Sequence, residues 1–165
     1  MRVRLLLHRQ GQVNITATEI ADNAGGDLSG KAPLVVFSAE QTDPENVHLY
    51  HKTTARAMYA HEYRKAADLG YFDVLFTNIH GQATEGSISN IFVGGGRGIL
   101  HTPPVRCGLL GGTFRRHLLE QGAAEERVLT RKDVEDAGEV FVGNAVRGLV
   151  KVRLAGDRPA KREQA

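Results

Sequence analysis

The sequence predicts a mixed α/β chain of the α+β kind, in which a β-rich N-terminal part precedes a larger unit of interleaved strands and helices. Three observations carry that reading. Short runs of Val, Ile, Leu and Thr, separated by glycine-containing breaks, fill residues 1–40. A helical pattern then runs from Thr54 to Leu69. Beyond it, strand-like and helix-like stretches alternate to about residue 155. Asp43-Pro44 stands between the two parts, and a residue before proline is pushed out of the helical region. The expected division is a partial small domain over 1–46, a large domain over 47–155 and a disordered tail over 156–165.

In chain order, Val3 to Leu7, Val13 to Thr18 and Leu34 to Phe37 read as strands, with Gly11 and the Asp22 to Gly30 stretch as separators. Gln41 to Asn46 reads as a connector. The helix from Thr54 carries Ala57, Met58, Tyr59, Ala66 and Ala67 on a compatible face. Arg64 and Lys65 lie toward the end that favours cations, and Gly70 offers a C-terminal cap. Asp73 to Thr77 reads as a strand and Asn78 to Gly81 as a turn. Ile91 to Val93 and Gly98 to Thr102 are strands joined by a glycine run that reads as a hairpin turn, because no helix follows it.

The glycines of Gly108-Leu109-Leu110-Gly111-Gly112-Thr113 differ, since they open directly onto a short amphipathic helix, Phe114 to Gln121, ended by Gly122. Backbone N–H groups at such a turn point outward with the positive end of the helix dipole behind them, which suits a phosphate. A plain helix entry has the same composition. Arg127 to Leu129 reads as a strand, and Thr130 with Asp133 starts a short helix. Glu139 to Val142 and Leu149 to Val152 are strands broken at Gly143-Asn144-Ala145.

Composition excludes several classes. The chain is 41% apolar and 24% charged, the balance of a globular domain with one core. Its apolar runs, such as Leu5 to Leu7, are far shorter than the roughly 20 residues of a membrane span. Three leucines after Arg2 and Arg4 do not make a signal-peptide core either, so a cytoplasmic protein without membrane contact is expected. A net charge of +2 describes a balanced surface, and no nucleic-acid motif is present. Cys107 alone cannot build a disulfide or a thiolate metal site. His8, His48, His61, His80, His101 and His117 have no ligand spacing, and His51 is given a packing role. No metal is expected.

Five blocks in order carry a resemblance. They are His51-Lys52-Thr53-Thr54; Gly81-Gln82-Ala83-Thr84-Glu85-Gly86-Ser87 with Asn90-Ile91-Phe92; Leu100-His101-Thr102-Pro103-Pro104; Gly108 to Arg115; and Glu139-Val140-Phe141-Val142. Their order and spacing resemble those of class IV aminotransferases, the fold-type IV pyridoxal-phosphate enzymes. The resemblance implies a D-amino-acid-aminotransferase-like fold with a large C-terminal cofactor domain. His51-Lys52-Thr53-Thr54 and Gly143-Asn144-Ala145-Val146-Arg147-Gly148 look most like 4-amino-4-deoxychorismate lyases, including domains fused to aminodeoxychorismate synthase.

The resemblance implies a role for each site residue. Lys52 is the Schiff-base lysine, whose amine also moves protons as acid or base. Glu85 lies beside the pyridine nitrogen and keeps it protonated, which deepens the electron sink. The phosphate rests on the backbone amides of Thr113 and Phe114, with Gly112 giving close approach; Gly111 is often a proline in the family. Ser89, Leu110, Asn144 and Ala145 complete the cofactor shell. Ala145 stands where transaminases of the class offer a threonine hydroxyl, and the lyases share the Asn-Ala pair. Arg106 and Arg147 lie in segments brought near the site, as partners for substrate carboxylates. Arg56, four residues after Lys52 on one helix face, is read as structural or as shaping the local field.

The activity implied is conversion of 4-amino-4-deoxychorismate to 4-aminobenzoate and pyruvate, a step of folate synthesis. Two alternatives stand beside it: a transaminase of branched-chain or D-amino acids, and a non-catalytic domain that keeps the fold. A homodimer and an association with aminodeoxychorismate synthase are implied too. Family members carry a complete small domain ahead of the lysine, whereas 51 residues precede Lys52 here. The expectation is a small domain lacking its first half.

Overall fold

Alternating side chains govern the first two strands. β1 (Arg2–Leu7) and β2 (Val13–Thr18) pair antiparallel with Val3 opposite Ala17, Leu5 opposite Ile15 and Leu7 opposite Val13. These apolar residues therefore share one face of the hairpin, and Arg2, Arg4, Thr16 and Thr18 share the other. Val3, Leu5, Leu7, Val13 and Ile15 are all exposed. The computed structural model describes residues 1–19, 32–95 and 98–156. The Asp22 to Gly30 separator and the tail from 157 onward lie outside the described residues.

β3 (Leu34–Thr42) is longer than its apolar run predicts. It lies between β4 (Asp73–Asn78) and β10 (Gly148–Leu154), parallel to both. Val35 and Phe37 point to one layer of core while Leu34 and Val36 point to another, and a strand apolar on both faces requires cover on both. Gln41 and Thr42 are therefore strand and not connector. The division expected at residue 46 falls between strands of one sheet.

Described residues form a mixed sheet of eight strands in the order β5-β4-β3-β10-β9-β6-β7-β8. Here β5 is Ala83–Gly86, β6 Asn90–Gly94, β7 Leu100–Thr102, β8 Ala124–Glu126 and β9 Val140–Asn144. β5 also pairs with β6 through Glu85 and Asn90, so six strands close on themselves and leave β7 and β8 as a flange. Val35, Leu75, Ile91, Leu129, Val142 and Val150 are among the side chains filling the interior. A second cluster, with Tyr59, Ala66, Val74 and Phe76, packs α1 (Ala57–Asp68) against the outer face of β4.

Three sequence expectations shift. The helix starts at Ala57 instead of Thr54, because Thr53 Oγ1 accepts the Ala55 N–H at 3.1 Å and Arg56 N–H bonds Thr54 O at 2.8 Å, closing a tight turn first. Lys52 is thus outside the helix, and Arg56 is its N-terminal boundary, so the two do not share a helix face. The strand read at Arg127 to Leu129 is β8, three residues earlier; Leu129 is instead a fully buried core side chain beside α3 (Arg131–Glu135). Thr130 and Asp133 form the reciprocal capping box that starts α3, as their spacing predicts. The glycine run at Gly94 does join antiparallel strands, β6 and β7, although Gly96 and Arg97 lie outside the described residues. No described helix is long and apolar enough to cross a membrane.

Candidate active site

Lys52 stands in the irregular segment between a 3₁₀ turn at Val47–Tyr50 and α1. Its side chain is exposed and lines a cavity of about 470 Å³ with Arg2, Thr18, Ile88, Asn144 and Arg147. The polar face of the N-terminal hairpin thereby meets the β9–β10 turn across the lysine. Asn144 organises that turn: its Oδ1 accepts the N–H groups of Val146 at 2.9 Å and Arg147 at 3.0 Å. Its Nδ2 donates to Ile88 O at 3.0 Å and ties the turn to the segment after β5. Ala145 is exposed at the tip. The Arg147 guanidinium lies 4.8 Å from the centre of the Phe72 ring, which orients it at the cavity wall.

Behind Lys52, β5 carries Glu85 into the interior, with its side chain 4% exposed. Oε1 accepts from Arg56 Nη2 at 3.2 Å and Oε2 accepts the Leu110 N–H at 3.1 Å. Burial pushes the Glu85 pKa up to about 7, while Arg56, the Leu110 N–H, Tyr59 and Lys52 pull it down. A carboxylate has room for about four donors, so this one retains acceptor capacity for a further N–H. Leu110 reaches Glu85 through its backbone, and Asn90 Nδ2 fixes the carbonyl of the same residue at 2.9 Å.

The turn after β5 is held from below by Asp73, a fully buried carboxylate. It accepts the hydroxyls of Ser87 and Ser89, the latter at 2.6 Å, and the N–H groups of Val74 and Ser87. Burial raises its pKa, and the two serine hydroxyls oppose the rise. A side chain at Gly86 would overlap both Asp73 and Ser89, so only glycine fits. Ser89, expected in the cofactor shell, gives its hydroxyl to Asp73.

At the other end of the site α2 (Thr113–Glu120) begins at Gly112 with no side-chain cap, leaving first-turn N–H groups outward. A Cβ on Gly112 would overlap Asn90 Oδ1, and the Phe114 ring packs on Gly143, so α2 starts against the ends of β6 and β9. Arg115, buried, donates from Nη2 to Pro103 O at 2.7 Å and Glu126 at 2.6 Å, clamping the helix to the flange.

Lys52, Asn144 and Arg147 thus share one cavity; Glu85, Leu110 and Gly112 are not in its lining and are tied to it through the 87–90 segment, by Asn144 to Ile88 O and Asn90 to Leu110 O. Arg106 does not line that cavity; it is exposed on the 3₁₀ turn Val105–Cys107. Arg2, Thr18, Asp73 and Asn90 are site residues the sequence reading missed, and Arg56 is a direct partner of Glu85. A carboxylate heading an apolar strand at Asp73, opposite a serine-rich turn, was the available sign.

Comparison with known proteins places the chain. It matches the amino-transferase class IV family over residues 1–155. It is 31% identical to a Schizosaccharomyces pombe protein assigned as an aminodeoxychorismate lyase, covering 91% of this chain and 65% of the relative. It is 33% identical to a Thermotoga maritima protein assigned as a branched-chain-amino-acid aminotransferase, over 50% of this chain and 32% of the relative. A crystal structure from Mesorhizobium loti, assigned as an amino-acid aminotransferase, superposes with a TM-score of 0.85 at 35% identity, covering 94% of this chain and 73% of that one. The closed mixed sheet with a lysine at its mouth and a buried carboxylate behind it is that of an aminotransferase-like domain. The chain belongs to the class IV amino-transferase family. It spans less than two thirds of the length of the curated relatives it matches.

Proposed function

We propose that the chain carries the active site of a pyridoxal-phosphate-dependent lyase that converts 4-amino-4-deoxychorismate to 4-aminobenzoate and pyruvate. The observation that carries this reading is the grouping of Arg2, Arg147 and Lys52 around one cavity, with Glu19 as the acid in its lining. Two arginines beside a reactive amine suit a substrate with two carboxylates better than a branched aliphatic side chain.

The residues fit pyridoxal phosphate. An uncapped helix start at Gly112 suits its phosphate, the buried Glu85 carboxylate suits its ring nitrogen, and the Lys52 amine on the cavity wall suits its aldehyde. When bound, that cofactor supplies an electron sink for the substrate carbon. Lys52 would hold it through Nζ, and the same amine would serve as acid or base for the proton at that carbon. Glu85 would set its carboxylate beside the ring nitrogen. Arg2 and Arg147 orient the carboxylates, and aromatisation of the ring drives loss of pyruvate.

Purified protein with pyridoxal phosphate is expected to form 4-aminobenzoate from 4-amino-4-deoxychorismate, and Lys52→Ala to form none. Undiminished product from the variant would contradict the assignment. The aminotransferase assignments of the T. maritima and M. loti proteins support a second reading, amino transfer. Conversion of 2-oxoglutarate to glutamate without 4-aminobenzoate formation would select it.

A further inference from the structure

The geometry points to Arg56 as a positioning residue that keeps the Glu85 carboxylate charged and aimed at the ring nitrogen of the cofactor. This inference rests on the cofactor reading above. Arg56 closes the N-terminal boundary of α1 and lays its side chain over Tyr59 of that helix, with its tip reaching β5. One terminal nitrogen, Nη2, donates to Glu85 Oε1 at 3.2 Å and to Ser87 O at 3.3 Å. The guanidinium carbon lies 4.2 Å from the centre of the Tyr59 ring, itself buried one turn along the helix. Arg56 is 22% exposed and Glu85 4%, so the pair sits where water screens little.

Three contacts on one planar group fix its orientation: a carboxylate, a carbonyl and an aromatic face. A lysine ammonium could supply the charge but not the stacked fork. The remaining groups around Glu85 do not substitute for Arg56. Lys52 acts on it through space and is committed to the cavity. The Leu110 N–H is neutral. The Tyr59 hydroxyl lies near Glu85 and lowers its pKa, but burial followed by the nearby Glu85 charge raises its own pKa, so it stays neutral and brings no charge. With Arg56 in place Glu85 ionises at about 7; without it, burial leaves Glu85 protonated through and above neutral pH, where a neutral carboxyl cannot hold the ring nitrogen in its charged form.

The test separates Glu85 from the cofactor. In cofactor-free protein labelled with ¹³C at glutamate side-chain carboxyls, with Glu85→Gln giving the assignment, the Glu85 titration is followed in wild type, Arg56→Met and Arg56→Lys. Pyridoxal-phosphate affinity is then measured from pH 6 to pH 9. Arg56→Met is expected to raise the Glu85 midpoint by about one unit and to weaken cofactor binding about tenfold below pH 8, with the loss shrinking at higher pH. Arg56→Lys is expected to restore most of the midpoint but only part of the affinity. An unchanged Glu85 midpoint in Arg56→Met overturns the inference, as does wild-type affinity in Arg56→Lys should Arg56→Met fail to fold. If wild type binds no pyridoxal phosphate while its midpoint still responds to Arg56, the cofactor reading fails, and with it this use of the pair.

Discussion

The floor of the site and its rim are built in opposite ways. Glu85, Asp73, Ser87, Ser89 and Asn90 are buried, and each makes at least one hydrogen bond from inside the closed sheet. Lys52 is exposed, Arg147 is half-buried, and Arg2 belongs to a hairpin whose strands lie in water on nearly every side. A floor made of interlocked buried polar groups holds a ligand's charge pattern without rearranging, but it ties site and fold together. Rim residues can change with little effect on the fold. Substitutions in the floor should therefore lower stability, and substitutions in the rim should lower ligand binding alone.

The largest stability effect is expected at Asp73. Asp73→Ala takes the acceptor from two buried hydroxyls and from the Val74 N–H, while the Ser87 N–H keeps Val74 O at 2.9 Å, and should cost about 3 kcal/mol in chemical denaturation. A loss under about 1 kcal/mol would break the comparison from the floor side.

Next comes Glu85, whose effect appears in pH dependence. Its folded pKa of about 7 lies above the ordinary carboxyl value of 4.5, so the folded state binds the extra proton between them. Stability should fall as pH rises through that window, by up to about 3 kcal/mol from this group. Glu85→Gln should flatten the slope, and a wild-type slope in the variant would remove Glu85 as its source.

Arg147→Met tests the rim. The substrate KM is expected to rise about tenfold, with unfolding free energy changed by less than about 1 kcal/mol. Equal losses in binding and stability would erase the distinction. Thr130→Ala, in a cap remote from both regions, should cost about 1 kcal/mol and leave KM unaltered, which calibrates the scale.

The two regions also differed in how legible they were. Lys52, Glu85 and the Gly112 helix entry stand out in the sequence because each lies in a short block that resembles the class IV family; the structure sets Lys52 on the cavity and buries Glu85. α3 was legible from local chemistry, since Thr130 and Asp133 cap it within one turn. Residues whose role depends on pairing across the fold were not. Arg2 reaches the cavity only because β1 folds back on β2, and nothing near it in sequence names Lys52 as a neighbour. Arg56 was assigned a helix face it does not occupy, because Thr53 and Thr54 close a turn that delays α1. β5 is four residues of mixed polarity, so its burial inside a closed sheet left no periodic trace. β3 runs past its apolar stretch because Ser38 to Thr42 continue the strand with mostly polar residues.

The central claim is that Lys52 is the amine that holds the cofactor. Protein incubated with pyridoxal phosphate, reduced with borohydride and digested should show, by mass spectrometry, the pyridoxyl mass on the peptide containing Lys52 at near one equivalent. The label should be lost in Lys52→Ala and weakened in Arg56→Met. Label spread over Lys65, Lys132 and Lys151, or retained at one equivalent in Lys52→Ala, would contradict the account.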